Sequence, residues 1–313
     1  MRIASLLPAA TEWLAAFDAL DDLVARSHEC DWPPAARSAP VVTSAAIPAD
    51  ATTSAAIDRS VQETLSEGLS LYDVDLEQLR RLSPDLVLTQ AQCEACAVSL
   101  PQLEDMLEEE SDARPELLSM QPMTLKEVFD EALRLGKKAG RIDKAMAVIA
   151  DGEERLRRLR ERLGLNDDTA ERPTVACIEW MDPLMTAGHW MPDVARQAGG
   201  KAVLAGKGEP SRRIIWDALR EADPDVIAVM PCGFSLDETR ADLYALTDRP
   251  GWRELGAVRA GRVFLFDGSA YFNRPGPRLY RSVELLAAAL HPDSTEVNAG
   301  DREMQHLADV RAL

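Results

Sequence analysis

Two cysteines with C-x-x-C spacing, Cys93 and Cys96, follow an apolar run in the stretch LVLTQAQCEAC. A pair of this kind forms a redox dithiol, half of a metal site or part of a pocket wall. The segment RSHECDWPP adds His28 and Cys30, and imidazole and thiolate groups are the usual ligands of zinc. These four side chains are therefore one candidate metal-ion site. The alternative for each thiol is a reduced, small apolar side chain in the core.

Motifs for catalysis are absent from the sequence. It contains no G-x-S-x-G nucleophile turn, no G-x-x-x-x-G-K-[ST] phosphate loop and no G-x-G-x-x-G dinucleotide fingerprint. Zinc ribbons pair two C-x-x-C knuckles, whereas this chain has one. We therefore predict a binding protein rather than an enzyme. A metal- or thiol-dependent enzyme that uses Cys30, Cys93 and Cys96 is the alternative from a different class.

Polar and aromatic side chains follow the apolar runs that we predict to be strands. In open α/β sheets, ligands bind outside the carboxyl ends of the strands. The segments after these runs contain QAQCEAC, EWMDPLMTAGHW, PCGF and GSAYFNRPGPR, and RSHECDWPP ends in a stiff Pro-Pro turn. The predicted ligand-binding residues are His28, Glu29, Cys30, Trp32, Gln90, Gln92, Cys93, Cys96, Trp180, His189, Trp190, Tyr271, Phe272, Asn273 and Arg274.

Two segments of the chain resemble each other at an offset of 140 residues. LEQLRRLSPDLVLTQ (76–90) and WDALREADPDVIAVM (216–230) each show an amphipathic helix, a stop before proline and then a continuous apolar strand. Strands without polar alternation are covered on both faces, as in a parallel sheet flanked by helices. The repeat predicts an α/β protein with two Rossmann-like lobes.

Further strands and a helical linker complete this plan. Residues 3–7 and 174–180 open the two lobes, and 263–266 form the last strand. Between the lobes, 124–138 and 142–163 have a roughly helical period with dense charge on one face. The predicted divisions are an N-terminal lobe at 1–123, linker helices including a bridging helix at 124–170, a C-terminal lobe at 171–292 and a polar C-terminal tail at 293–313.

The net charge of the chain argues against a nucleic-acid partner, and the N-terminal segment gives an expectation about where in the cell the protein is located. The net charge of −18 repels phosphate, so we predict no nucleic-acid partner. Pro8 interrupts the first apolar stretch, unlike the apolar region of a secretory signal. No segment approaches the ~18 apolar residues of a membrane span. We expect a cytoplasmic protein, or a periplasmic or other extracytoplasmic one if a leader has been removed.

Motifs along the chain resemble those of vitamin B12-binding substrate-binding proteins of ABC transporters, within the class that also binds ferric chelates. RIASLLPAATEWLAAFDALDDLVARSHECDWPP is similar to the opening of that family. Later segments that resemble it are LEQLRRLSPDLVL, MTAGHWMPDVARQAGG, DALREADPDVIAVMPCG, RPGWRELGAVRAGRVFLFDG and YFNRPGPRLYRSVELLAAALHP. The resemblance runs from Arg2 to about Pro292. It implies two α/β lobes bridged by a long helix, a ligand cleft between the lobes and no catalysis.

The same resemblance implies a ligand and a partner. Members of the family bind corrinoids or ferric chelates and deliver them to a membrane permease through acidic residues, one on each lobe. Glu209 is the match in the second lobe, and Glu94 or Glu104 is the candidate in the first. The expected ligand is a corrinoid, cobalamin or cobinamide. The protein would hold it as the substrate-binding protein of an ABC transporter or as a cytoplasmic carrier or sensor. A ferric chelate, heme or a metal ion in the same cleft is the alternative.

Two histidines and five aromatic residues suit such a ligand. Cobalt in corrinoids accepts an axial imidazole, so His28 or His189 is a candidate axial ligand, the alternative being a hydrogen-bonded rim residue. Aromatic rings offer a flat macrocycle a large apolar contact, the alternative being a place in the core of a lobe. The aromatic candidates are Trp32, Trp180, Trp190, Tyr271 and Phe272. The vitamin B12-binding proteins more often have Ser, Tyr or Trp at the positions of His28 and the cysteines. Whether these side chains of this chain coordinate a metal centre directly is therefore left open.

Overall fold

Alternating strands and helices assemble into two units along the chain. A computed structural model describes residues 1–48, 50–67, 69–90, 103, 115–165, 171–294, 297 and 299–310. Each of the two compact units has its own main sheet. The first unit comprises Met1–Ala51, Arg59–Pro122 and Glu127–Ala150, and the second comprises Thr52–Asp58, Met123–Lys126 and Asp151–Leu313.

The first unit contains a four-stranded parallel sheet and a two-stranded antiparallel sheet. Its strands are β1 (Ile3–Ser5), β2 (Leu23–Arg26), β3 (Thr43–Ala45), β4 (Tyr72–Val74), β5 (Leu86–Thr89) and β6 (Glu116–Ser119). The parallel sheet has the order β2-β1-β5-β6, and β3 pairs with β4. The helices along this part of the chain are α1 (Pro8–Ala16), α2 (Ser54–Ser66), α3 (Leu76–Leu82), α4 (Leu125–Lys138) and α5 (Ile142–Arg162).

The second unit is built on a seven-stranded mixed sheet. Its strands are β7 (Thr174–Trp180), β8 (Met185–Thr186), β9 (Lys201–Ala202), β10 (Arg212–Arg213), β11 (Val226–Val229), β12 (Val263–Phe266) and β13 (Met304–His306). The order is β10-β8-β7-β11-β12-β13, with β9 also beside β7. β9, β7, β11 and β12 run parallel, which directs the carboxyl ends of β7, β11 and β12 to one edge. The helices are α6 (Met191–Gln197), α7 (Trp216–Ala222), α8 (Leu236–Ala241), α9 (Tyr244–Thr247), α10 (Gly256–Arg259), α11 (Gly268–Tyr271), α12 (Leu279–Leu290) and α13 (Leu307–Val310).

The predicted helix–Pro–Asp–strand repeat is present in both units. α3 and α7 each have 7 residues, and each is followed by a left-handed residue, Ser83 with a φ of 42° and Asp223 with a φ of 32°. Pro84 and Pro224 come next, and proline disfavours helical geometry in the residue before it. Every residue of β5 and β11 is buried. These strands are therefore covered on both faces, as their uninterrupted apolar runs predict.

The aspartate after each proline connects the repeat to the neighbouring strand. The backbone N–H of Arg2, just before β1, donates to Asp85 Oδ2 at 2.7 Å. In the second unit, the N–H and the hydroxyl of Thr174 at the start of β7 both donate to Asp225 Oδ2, each at 2.7 Å. The hydrogen bonds from Thr174 hold the pKa of Asp225 below its ordinary value. The Pro-Asp pair therefore fixes the register between two central strands in each unit.

We predict that Asp225→Ala lowers the free energy of unfolding by about 1 kcal/mol at pH 7, because a charge-assisted hydrogen bond to the first residue of β7 is lost. The loss shrinks as the pH falls and the native carboxylate becomes protonated. Urea unfolding followed by circular dichroism measures both effects. Asp217→Ala, at an exposed position of α7, is the control and changes the free energy by less than about 0.5 kcal/mol. Equal losses in the two variants would contradict the assigned role.

The long helix α5 contributes to both units. Its residues up to Ala150 belong to the first unit, and those from Asp151 belong to the second. Leu156 is buried as the helical period predicts, but Ile142 and Met146 are exposed. The apolar stripe that the sequence indicates is therefore only partly covered, because periodicity identifies a face of the helix without showing what packs on it.

Part of the segment 293–313, which the sequence suggests is a polar tail, joins the second sheet. β13 pairs antiparallel with β12, with His306 opposite Phe264 and their rings in edge contact at 5.0 Å between centroids. Arg281 of α12 forms an ion pair with Glu303 at 2.5 Å just before this strand. Backbone hydrogen bonds to β12 and the ion pair beside the strand hold β13 at the edge of the sheet. The polar composition of the segment therefore does not predict a strand there.

Candidate functional site

The loop after β2 holds the segment around His28 in the first unit. His28 Nδ1 lies 2.7 Å from Thr43 Oγ1, and the backbone N–H of His28 donates to the same oxygen at 3.1 Å. Its Nε2 lies 3.6 Å from Glu29 Oε1, and its ring centroid lies 5.8 Å from that of Tyr72. The imidazole is therefore held against β3 and β4, with 24% of its side chain exposed.

Cys30 lies in the interior of the first unit. Its thiol is completely buried, it accepts a hydrogen bond from Thr11 Oγ1 at 3.0 Å, and it donates to the carbonyl of Ser5 at 3.6 Å. This burial corrects the expectation that the thiol faces a ligand or a metal ion, and Cys30 has the character of the alternative, a small core side chain. Trp32, two residues further on, is 38% exposed and remains a candidate for ligand contact.

The remaining predicted residues of the first lobe follow β5. Gln90, directly after the strand, is buried. Gln92, Cys93, Glu94, Cys96 and Glu104 lie outside the described residues. Within the ranges that the structure describes, no three His, Cys, Asp or Glu side chains come together as a metal site. The site that would combine His28 with the C-x-x-C pair therefore stays a prediction.

Three predicted aromatic residues of the second unit pack inward. The indole N–H of Trp190 donates to the carbonyl of Phe272 at 3.0 Å, which connects the loop before α6 to the loop after α11. The Phe272 ring is completely buried against Phe266, with centroids 4.9 Å apart. Trp180 is half-buried, and its indole N–H donates to the carbonyl of Ser54 at 3.2 Å. Phe272 is therefore a core residue rather than a contact for a macrocycle, and Trp190 retains only 8% exposure.

Tyr271, the last residue of α11, is partly exposed, and so are Asn273 and Arg274 in the loop that follows. The amide of Asn273 donates to the carbonyl of Met230 at 3.0 Å, just after β11. The guanidinium of Arg278 lies 5.6 Å from the centre of the Tyr271 ring. These contacts hold the loop at the carboxyl ends of β11 and β12, next to the loop that carries Trp190. The structure thus brings together the predicted residues of the second lobe at one edge of the sheet.

A carboxylate, a hydroxyl and an imidazole form a hydrogen-bonded row beside the carboxyl end of β7. The Ser211 hydroxyl donates to Glu179 Oε2 at 2.5 Å, and its oxygen lies 3.4 Å from His189 Nδ1. Burial raises the pKa of Glu179 to about 7, against the opposing effect of hydrogen bonds from Ser211 and Gly188. Burial also lowers the pKa of His189. The surroundings therefore disfavour a charge at either end of the row.

The backbone at Gly188 explains how the row is assembled. A Cβ at this position would overlap the backbone between Glu209 and Ser211, so the close approach requires glycine. The N–H of Gly188 donates to Ser211 Oγ at 3.0 Å. His189 has a φ of 51°, and its N–H donates to the carbonyl of Glu209 at 2.6 Å. The local sequence Ala-Gly-His-Trp thus presents the imidazole to the loop that carries Ser211.

The sequence does not mark Glu179 or Ser211 as residues of the site. Glu179 offers one signal, because it is the charged residue of the apolar strand TVACIEW and lies near its carboxyl end. Ser211 offers none, since it follows the loop GKGEP and shares no spacing with His189 or Glu179.

The fold and this site define a two-unit α/β binding protein with its polar and aromatic loops at the carboxyl ends of parallel strands. A family model described as "Periplasmic binding protein" matches residues 3–270. The chain belongs to the periplasmic binding protein family.

The individual relatives that match this chain share less than a quarter of its residues. An uncharacterized ABC transporter substrate-binding lipoprotein, YvrC of Bacillus subtilis (strain 168), is 24% identical over 230 residues, which covers 71% of this chain and 67% of that protein. A periplasmic heme binding protein from Pseudomonas aeruginosa superposes with a TM-score of 0.68 at 22% identity, over 95% of each chain. The periplasmic vitamin B12 binding protein BtuF of Vibrio cholerae superposes with a TM-score of 0.64 at 22% identity, over 93% of this chain and 96% of that chain.

These similarities decide several predictions. Two α/β lobes and a binding protein rather than an enzyme are both confirmed. Specificity for vitamin B12 is not, since a heme binding protein is as similar in sequence as BtuF. A cytoplasmic location is not supported, because the relatives are a lipoprotein and periplasmic proteins. Of the helices in the described part of the chain, none combines the length and the apolar character that crossing a bilayer requires.

Proposed function

We propose that this protein is the substrate-binding protein of an ABC transporter and that its ligand is a metal chelate of the corrinoid class, cobalamin or cobinamide. Heme or a ferric chelate is the second candidate, because a heme binding protein and a vitamin B12 binding protein match the chain with the same 22% identity. Corrinoids and heme are both planar metal complexes with axial positions at the metal.

The observation that carries this proposal is the partly exposed imidazole of His189 at the carboxyl end of the second sheet. Its Nδ1 faces Ser211 Oγ at 3.4 Å, which leaves Nε2 as the nitrogen for an axial bond to cobalt or iron. The Trp190 ring packs 5.7 Å from the imidazole with 8% of the residue exposed. Tyr271, partly exposed at the end of α11, offers aromatic surface after β12. An imidazole beside aromatic surface suits a planar metal complex.

We also propose an extracytoplasmic location and a membrane permease as partner. The lipoprotein YvrC and the two periplasmic relatives support this location. Glu209 is exposed in the second unit and is the proposed docking residue there. Glu94, which lies outside the described residues, is its proposed counterpart in the first lobe.

Titration of the purified protein with aquocobalamin, cobinamide and hemin tests the proposal. We expect 1:1 binding of at least one of them at micromolar concentrations, with a shift of the visible absorbance bands on binding. Competition between bound corrinoid and hemin then identifies the preferred class. If none of the three chelates binds at these concentrations, the proposed function is wrong.

His189→Ala tests the axial bond separately. We expect it to shift the absorbance bands of the bound chelate and to weaken binding by about 10-fold or more. His306→Ala is the control, because this other imidazole of the same unit lies by Gly261, just before the start of β12. An unchanged spectrum in the His189 variant would exclude axial coordination by this residue while leaving chelate binding itself intact.

A further inference from the structure

The single proton of the Ser211 hydroxyl has one preferred direction. Ser211 Oγ lies 2.5 Å from Glu179 Oε2, a separation typical of a hydroxyl that donates to an ionised carboxylate. An ionised carboxylate has no proton to donate and can only accept. While Glu179 is ionised, the hydroxyl proton of Ser211 is therefore directed at Glu179 and is not available to any other neighbour.

The other two neighbours of Ser211 Oγ must consequently donate to it. One is the backbone N–H of Gly188, at 3.0 Å. The other is Nδ1 of His189, at 3.4 Å. A neutral imidazole carries its one proton on either Nδ1 or Nε2, and only the Nδ1–H form makes the contact with Ser211 favourable. With the proton on Nδ1, the lone pair of the ring lies on Nε2.

Backbone contacts hold each member of this row in place. Glu179 is the penultimate residue of β7, which pairs with both β8 and β11. Ser211 immediately precedes β10, and the backbone on its amino side packs directly on Gly188. His189 is tied by its backbone N–H to the carbonyl of Glu209 at 2.6 Å. The imidazole is therefore oriented before any ligand arrives.

We propose that Ser211, oriented by ionised Glu179, is a positioning residue that fixes His189 as its Nδ1–H tautomer and so prepares Nε2 as an electron-pair donor for the metal of a bound chelate. The inference rests on the proposed function for what Nε2 binds. The tautomer itself is a property of the ligand-free protein and can be measured without any chelate. Outer partners of this kind change metal affinity by about 10- to 100-fold in other proteins.

Nitrogen-15 NMR of the ligand-free protein tests the first part. At pH 8, above the pKa of about 7 that burial gives Glu179, the carboxylate form prevails. We expect the nitrogen shifts of His189 to show a protonated Nδ1 and an unprotonated Nε2 in the wild type. Ser211→Ala should move the equilibrium towards the Nε2–H tautomer, whereas Ser211→Thr, which keeps a hydroxyl, should retain the wild-type pattern. A protonated Nε2 in the wild type would overturn the inference without recourse to any variant.

Affinity for cobinamide and hemin tests the second part. We expect Ser211→Ala to weaken binding of the preferred chelate by about 10-fold and Ser211→Thr to restore most of it. Unchanged affinity in Ser211→Ala would overturn the link from Ser211 to the ligand, although the chelate still binds. If the tautomer responds as expected but the wild type binds neither chelate, the proposed function fails and the assignment of the tautomer stands.

Discussion

Gly152→Ala lowers the free energy of unfolding by about 2 kcal/mol, although alanine in a helix interior is ordinarily more favourable than glycine by about 1 kcal/mol. Gly152 lies in the middle of α5, where helix propensity alone favours the substitution. However, an added Cβ would overlap the ring of Tyr280 in α12, which is itself almost completely buried. Because the ring is buried, moving it aside disturbs its other neighbours, so we expect overpacking to outweigh propensity. Thermal and urea unfolding of the two proteins measure the difference.

A double-mutant cycle separates the two contributions. In a Tyr280→Ala background the ring is gone, and Gly152→Ala should then be neutral or stabilising. Met146→Ala, at a 58% exposed position of the same helix, is the matched control and should change the free energy by less than about 0.5 kcal/mol. If Gly152→Ala stabilises the otherwise wild-type protein, the close packing of α5 on α12 is wrong.

Glu179→Gln makes the protein more stable than the wild type at pH 8 but not at pH 4. The pKa of Glu179 is raised by burial from 4.5 to about 7, so the native state binds this proton more tightly than the unfolded chain. Its contribution to stability is complete below pH 4.5 and is lost as the pH rises through about 7. The full shift corresponds to about 3 kcal/mol, which partial exposure of the side chain reduces to about 2 kcal/mol.

Urea unfolding of both proteins from pH 4 to pH 8 measures this difference directly. Other titrating groups contribute to both curves and cancel in the comparison. Glu221→Gln, at an exposed position of α7, is the control, and its curve should run parallel to that of the wild type. Parallel curves for the wild type and Glu179→Gln would mean that Glu179 titrates alike in the native and unfolded chains. That result would contradict the conclusion that burial raises the pKa of the Glu179 carboxyl.

Local rules made much of the fold predictable. Proline ends the helices before Pro84 and Pro224, and an uninterrupted apolar run specifies a buried strand, so the repeat and its two lobes follow from short stretches of sequence. The strand β13 could not be predicted from such local rules. Its residues 304–306 are polar or partly buried, and backbone pairing with β12 holds them in place.

The site was predictable only in part. His189 and Trp190, whose roles in binding stay predictions, follow β8, which runs antiparallel to β7. Position after a strand indicates the loop that carries Asn273, because parallel strands bring their carboxyl ends to one edge. It does not indicate which side chains turn inward. Phe272 packs on the core while its neighbour Tyr271 stays partly exposed, and adjacent residues in a sequence have no local signal for this choice.

The sequence by itself determined the class of the protein: two α/β lobes, their helix–Pro–Asp–strand units and a binding role without catalytic motifs. These depend on backbone preferences and hydrophobic periods, which act over a few residues. Only the tertiary structure decided that Cys30 is a core thiol and that Glu179, Ser211 and His189 form one row. That row exists because a glycine at position 188 lets two distant backbone segments touch, and contact between distant segments leaves no mark on the local pattern of either.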